Sequence, residues 1–179
     1  SAAVDTVDTA TINNLRKYLD SGKKIFMAQS GVNADIKTQQ ANPLFSNIFD
    51  LLNDFNLDLQ KNLVLDAKCG NVQVQEQRGI FLMNRPVQYP LFPTIDTFNG
   101  SDSLSGIVVN ELEQVLLLFP SEIKIDTSQN ENVNSISTLF TSSNNSGIME
   151  SNLVLSPDPQ QNPFIRMLGQ SGKLLAATS

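Results

Sequence analysis

The chemistry open to this chain is narrow, because it contains no histidine and a single cysteine. Without imidazole there is no Ser-His-Asp or Cys-His nucleophilic pair, no histidine general base and no His-ligated metal site. One cysteine excludes internal disulfides and Cys-rich zinc sites. Cys69 lies in Asp66-Ala67-Lys68-Cys69-Gly70, where Lys68 and a turn could lower a thiol pKa. Lacking a base to activate it, it reads as a small residue at a strand end. Asp50, Asp54, Asp58 and Asp66 could in principle supply a carboxylate pair or a hard-cation site. Asp50 and Asp54 stand at i and i+4, and their apolar neighbours make them the solvated side of an amphipathic helix. The calcium-loop alternation of Asp and Asn with a Gly and a distal Glu is not met. Gly100 to Gly106 is a small-polar loop without the Lys-Ser/Thr ending of a phosphate-binding loop. Ser30-Gly31 and Ser171-Gly172 lack the Gly-x-Ser-x-Gly frame of a nucleophile elbow. No catalytic residue, metal or cofactor is therefore expected, and a hydrolase using carboxylates alone, with Asp66 as its test residue, is the least favoured reading. Asn99-Gly100-Ser101 and Asn144-Asn145-Ser146 match the glycosylation acceptor, which matters only in a eukaryotic secretory context.

The most unusual local feature is Tyr89-Pro90-Leu91-Phe92-Pro93. Two aromatics and two prolines in five residues make a stiff apolar surface, either folded over its own sheet or docking a partner. Tyr89, Phe92, Pro93 and Asp66 are the candidate partner- or ligand-binding residues. Homodimerisation through this arm is a further expectation.

Composition bounds the partners. Against 12 Lys and Arg stand 18 Asp and Glu, a net charge of −6, which argues against a general nucleic-acid binder. The 19 Asn and 13 Gln outnumber the charged residues. Amide surfaces hydrogen-bond well and steer weakly, so sugars and peptides are the ligands they suit. At 179 residues one domain with a real core is expected. The longest apolar run, Val115 to Phe119, is far short of the roughly 20 residues of a membrane-spanning helix. No signal peptide is read at the N-terminus, which begins Ser-Ala-Ala. The chain is expected to be an excised domain, 1–179, of a larger protein whose membrane anchors lie elsewhere.

The elements follow from local pattern. Thr9 or Thr11 caps a first helix with Ile12, Leu15, Tyr18 and Leu19 at helical spacing and Gly22 as its stop. Lys24 to Ala28 follows as a short apolar strand, and this rhythm is that of an α/β unit. Ser30 to Gln40 reads as a loop. Asn42-Pro43 opens a second helix carrying Leu44, Phe45, Ile48, Phe49, Leu51, Leu52 and Phe55. Asn62 to Asp66 is a strand. Val72 to Gln77 alternates like a half-buried strand and pairs with Ile80 to Met83 as a hairpin across Arg78-Gly79. Pro86, Pro90 and Pro93 break Val87 to Ile95 into extended segments at an edge. Val115 to Phe119 reads as the best buried strand, Ile136 to Thr141 as another. Asn162-Pro163 opens a short helix through Phe164 to Leu168, and Gly172 to Ala176 is a closing strand.

These segments together resemble the auxiliary domain of uncharacterised ABC-type transport systems, whose best-known members are the gliding-motility ABC-transporter auxiliary proteins. Leu15 to Ile25 resembles that family's helix-turn-strand. Asn42-Pro43-Leu44, Leu51-Leu52 and Asn62 to Asp66 are similar to its second helix and following strand. Asp66-Ala67-Lys68-Cys69, Tyr89 to Pro93 and Leu118 to Ile123 are similar to its later segments. Lys23 departs from the pattern, standing where a second Gly is common. The resemblance implies an α/β, Rossmann-like or flavodoxin-like sheet flanked by helices, with an added β-rich proline-aromatic segment. It implies an extracytoplasmic (periplasmic), membrane-anchored, non-enzymatic accessory domain working with an ABC transporter permease and ATPase, and it carries over no catalytic residue. The expected contact surface is Tyr89 to Ile95 with the loop Ser30 to Asn42. The alternative is a small-molecule or saccharide binding protein of a solute-uptake system.

Overall fold

In a computed structural model the described residues are 3–78, 81–99, 109, 111–126, 128, 136–158, 162 and 164–179. The α/β, Rossmann-like expectation is overturned. The described residues form five small sheets in which every registered strand pair but one is antiparallel. A doubly wound fold needs parallel strands joined by crossover helices lying on both faces. The α-helices delimited among the described residues, Thr9–Asp20 and Ile48–Asn53, are short.

The first helix, α1 (Thr9–Asp20), is legible from its periodicity, and its N-cap is Asp8, whose carboxylate accepts from the Thr11 amide at 2.9 Å. Gly22 ends it with φ at 78°, a left-handed turn that favours glycine. Only Ile12 of α1 is buried. No strand follows it: residues 23–30 are irregular, and Phe26 is 87% exposed. An apolar run becomes a strand only where a neighbour takes its backbone hydrogen bonds.

Next come the strands β1 (Ala3–Val4), β2 (Val32–Asp35) and β3 (Gln40–Phe45), in sheet order β1-β3-β2. So the expected loop over Ser30 to Gln40 holds a strand, and the expected helix opening at Asn42-Pro43 lies inside another. Pro43 sits opposite Val32, ahead of the Leu44–Phe45 pairing with β1. The second helix, α2 (Ile48–Asn53), starts only after Asn47. Asn47 does not cap it with its side chain. Its amide instead bonds both backbone groups of Val7, at 2.9 and 2.7 Å, which ties the start of the chain to α2. Leu44, Phe49 and β4 (Leu57–Leu59) form a small core with Ile123 of β9 (Ile123–Ile125).

The main core is built on β5 (Leu63–Asp66), whose four side chains are all fully buried. It pairs with β11 (Ser146–Met149), and the Val64 amide reaches Pro120 O at 2.8 Å from elsewhere in the chain. Leu63 and Leu65 belong to one buried cluster with Leu91, Tyr89, Met149, Leu155 and Phe164.

The expected hairpin is present and longer than its alternation suggests: β6 (Cys69–Arg78) pairs with β7 (Phe81–Ile95), and Arg78 faces Phe81. Three prolines do not break β7. Pro86 faces Gln73 in regular register, while Pro90 and Pro93 fall at a bulge, because Cys69 faces Pro93 and Asn71 faces Gln88, leaving Tyr89 to Phe92 opposite Gly70 alone. Pro90 and Pro93 have no amide hydrogen to give a ladder, and a bulge removes the demand. A Cβ at Gly70 would stand 3.0 Å from Leu116 Cδ1, so the close approach there favours glycine. Val115 to Phe119 is not the buried strand. Only β8 (Val115–Leu116) is regular, it pairs with Thr94 and Ile95, and Leu116 and Leu118 are 52% and 60% exposed. β10 (Ser137–Thr141) and β12 (Leu174–Thr178) pair as an antiparallel ladder, and Phe164–Met167 is a 3-10 turn. The loop Gly100 to Gly106 lies outside the described residues.

These positions separate the two folds experimentally. Leu65→Ala is expected to cost about 2–5 kcal/mol, as a buried leucine does. Phe26→Ala is expected to change stability by less than about 0.5 kcal/mol, as exposed positions do. Urea denaturation of the two variants checks both, and an α/β core strand at Lys24 to Ala28 would make the second as costly as the first.

Candidate functional site

The bulge in β7 turns the proline-aromatic arm into the body of the protein. Tyr89 is 4% exposed, Pro93 is fully buried and Phe92 is half-buried. Tyr89 is the hub of edge-to-face contacts, with ring centroids 4.8 Å from Phe92, 5.7 Å from Phe164 and 6.3 Å from Phe119. Phe92 and Phe119 lie 5.0 Å apart. This tilted geometry suits the ring quadrupoles. The Tyr89 hydroxyl donates to the Leu155 carbonyl, which satisfies both buried groups. Burial pushes the phenol well above the usual tyrosine range.

Asp66 is the last residue of β5 and is fully buried. Its carboxylate accepts from the Lys68 amide at 2.8 Å, from the Ser143 amide at 2.5 Å and from the Ser143 hydroxyl at 2.6 Å. A buried carboxylate needs such partners, and these hold the corner between β5 and β6 against the turn before β11. Both oxygens are engaged by the protein itself. Of the four residues singled out from the sequence, then, Phe92 alone keeps surface, while Tyr89, Pro93 and Asp66 shape what lies under it.

Cys69 is half-buried. Burial pushes its thiol up, and the nearby Asp66 charge adds to the effect. The Lys68 ammonium that could have opposed this pairs with Asp96 instead and holds that carboxyl below its usual range. A raised thiol pKa is the reverse of what a nucleophile needs. Asp54 pairs with Arg16 at 2.8 Å and Asp58 accepts from Gln60 at 2.6 Å. Among the described residues no three carboxylate or thiol side chains gather where a metal could sit.

Two features were not legible in the sequence. The first is a serine-centred seam. The Ser121 hydroxyl donates to Asn62 O at 2.7 Å and accepts from the Gly31 amide at 2.9 Å, while Ser30 donates to Phe119 O at 2.8 Å. It fastens Phe119, which has φ at 53°, a strained value for a bulky residue. Pro120-Ser121 in the sequence gives the only hint of it. The second is the exposed Leu116, which meets Phe92 across Gly70, with the exposed Leu118 two residues on. Two hollows open to solvent lie elsewhere among the described residues. One of about 370 Å³ lies between β3 and α2, where Lys61 covers the Phe45 ring at 3.7 Å. One of about 310 Å³ is edged by Gln40, Asn42 and Asn152, at the end of the segment expected to form a contact loop.

A family model described as an ABC-type uncharacterized transport system matches residues 3–179. The chain belongs to that family and is an auxiliary domain of such a transport system. No curated protein and no solved structure matches it. No helix among the described residues is long and apolar enough to cross a membrane.

The Tyr89 environment has an alkaline signature. An unfolded tyrosine ionises near pH 10, and the buried phenol ionises higher. Between those limits the unfolded chain binds fewer protons, so stability is unaffected below about pH 10 and falls as pH rises past it. Tyr89→Phe is expected to cost about 1–3 kcal/mol at neutral pH, by stranding the Leu155 carbonyl, and to flatten the alkaline fall. Denaturation midpoints from pH 7 to 11 read both effects.

Proposed function

We propose that this chain is a non-catalytic accessory domain that works by holding a protein partner of its ABC-type transport system, the permease or its associated ATPase, on the extracytoplasmic side. The proposed contact centres on Phe92, with Leu116 and Leu118 beside it. Tyr89, Pro93 and Asp66 serve that face from below by fixing the bulge that presents Phe92. Membership in the family supports the transport setting. The observation that carries the binding reading is the fate of the reactive side chains. Asp66 is saturated by three donors, Tyr89 is committed to a backbone carbonyl, and the Cys69 thiol is held protonated by burial. Chemistry needs such groups unengaged and tuned. The apolar side chains left in solvent, by contrast, are what a protein interface covers.

The resemblance to gliding-motility auxiliary proteins makes a cell-surface motility complex one setting for this partner. Anchoring by segments outside these 179 residues fits the same reading.

The double variant Leu116→Asp/Leu118→Asp tests it. Both side chains are exposed, so the fold is expected to survive, with an unchanged denaturation midpoint. Losing two central apolar contacts costs on the order of 2 kcal/mol or more, roughly thirtyfold in affinity. Co-purification of permease or ATPase from solubilised source membranes is expected with the parent chain and to fall by that factor in the variant. Equal recovery by both chains would contradict the assignment of this face.

A further inference from the structure

The outer half of the β6–β7 hairpin stands apart from the body. Phe81, Leu82, Met83, Asn84, Arg85 and Pro86 are all exposed, although alternate residues of a strand point to opposite faces. Along this stretch of β7, then, described residues cover neither face, and on the paired strand Val74 and Glu76 are half-buried. Val72, nearer the base, still packs on the main core. The six residues of β6 beyond it, at about 3.4 Å each, give a ribbon reaching roughly 20 Å from that point.

The ribbon ends in three consecutive large apolar side chains. Phe81 is 67% exposed, Leu82 70% and Met83 54%. Only Gly79 and Ile80, outside the described residues, separate Phe81 from its partner Arg78. A flat protein surface would cover one face of such a ribbon. Here the apolar residues occupy both faces of the tip, which suits a medium that surrounds it.

Charge selects the kind of medium. The chain carries −6 overall, yet Gln77 to Ile95 holds Arg78 and Arg85 and no carboxylate. Behind the tip, Arg85 lies 3.3 Å from Glu76, with both side chains substantially exposed. An exposed pair of this kind is weak and leaves the guanidinium available to a second anion. Apolar side chains at an end with arginine set behind them match the acyl region and the anionic headgroups of a bilayer leaflet. A transport-system family puts such a bilayer within reach.

We propose that the β6–β7 ribbon dips its tip, Phe81 to Met83, into an anionic lipid leaflet, so that the domain touches the membrane as well as its protein partner. This goes beyond the partner-binding reading. Protein-free vesicles test it separately, because they contain no permease or ATPase.

The experiment is sedimentation of the 179-residue chain with vesicles of phosphatidylcholine and phosphatidylglycerol in equal parts, and with phosphatidylcholine alone. The chain has no tryptophan, so Leu82→Trp places a single reporter at the tip. Binding to the anionic vesicles is expected, weakened by salt and at least tenfold weaker on neutral ones. The indole emission of the Leu82→Trp variant is expected to shift to the blue and to be quenched by brominated acyl chains. Phe81→Ser/Leu82→Ser is expected to lower binding at least tenfold with an unchanged denaturation midpoint. Failure of the parent chain to sediment would overturn the proposal, and so would binding indifferent to the serine double variant or an indole emission unmoved by lipid. A ribbon that serves a second copy of the chain would show instead as a tip-dependent dimer in light scattering without vesicle binding, which also overturns it.

Discussion

One four-residue strand, Leu63 to Asp66, is buried to its last side chain, and the arrangement around it follows from that burial. Three aliphatic side chains gain by leaving water, but the fourth is a carboxylate that would cost several kcal/mol without partners. Asp66 avoids that cost by accepting from Lys68 and Ser143. Those bonds fix where the chain leaves β5 and where the Ser143 turn crosses it. The strand's backbone is satisfied by β11 on one side and by the Pro120 carbonyl on the other. Small sheets packed around a shared buried strand replace the single wide sheet of a doubly wound fold.

The arm follows from the same constraint. Leaving the Asp66 corner, β6 meets β7 at Cys69 and Pro93, and the register then skips four residues of β7. That skip is what proline chemistry allows, and it turns Tyr89 and Leu91 toward β5. The aromatic cluster is a consequence of a ladder that cannot be completed. The Leu91 carbonyl, left over by the bulge, is taken by the Phe119 amide at 3.0 Å. This bond and the Ser30 hydroxyl together hold Phe119 in its left-handed backbone. Surface function is left to what the bulge pushes outward, Phe92 with Leu116 and Leu118, and to the ribbon that extends past it.

Local rules succeeded where local physics decides. Ile12, Leu15 and Leu19 mark α1, Val72 to Gln77 marks a hairpin strand, and Leu63 to Leu65 marks β5. They failed where a distant partner decides. Lys24 to Ala28 has strand composition and pairs with no strand among the described residues. Asn42-Pro43 has the form of a helix opening, but Ala41 and Leu44 are buried in β3 and its backbone pairs with β2. Val115 to Phe119 is wholly apolar and Leu63 to Asp66 ends in a carboxylate, yet the second is the buried one, so only three-dimensional placement tells the edge from the centre. The resemblance that led to the correct family also led to the wrong architecture. Order and spacing of motifs identified relatives, while the fold was set by long-range pairings that no motif encodes. Of the residues singled out from the sequence, Tyr89, Pro93 and Asp66 are buried and Phe92 is half-buried, a difference set by the bulge in β7 and by the partners of Asp66, which no local pattern records.

Amide hydrogen exchange followed by mass spectrometry tests the central claim most directly, since it reads every segment of the unaltered chain. With β5 and the bulge as the organising core, Leu63 to Asp66 and the amides of Tyr89 to Ile95 exchange last, near the rate set by global unfolding. Residues 23–30 exchange first. Strong protection at Lys24 to Ala28 together with rapid exchange at Leu63 to Asp66 would contradict this architecture and restore a helix-flanked sheet.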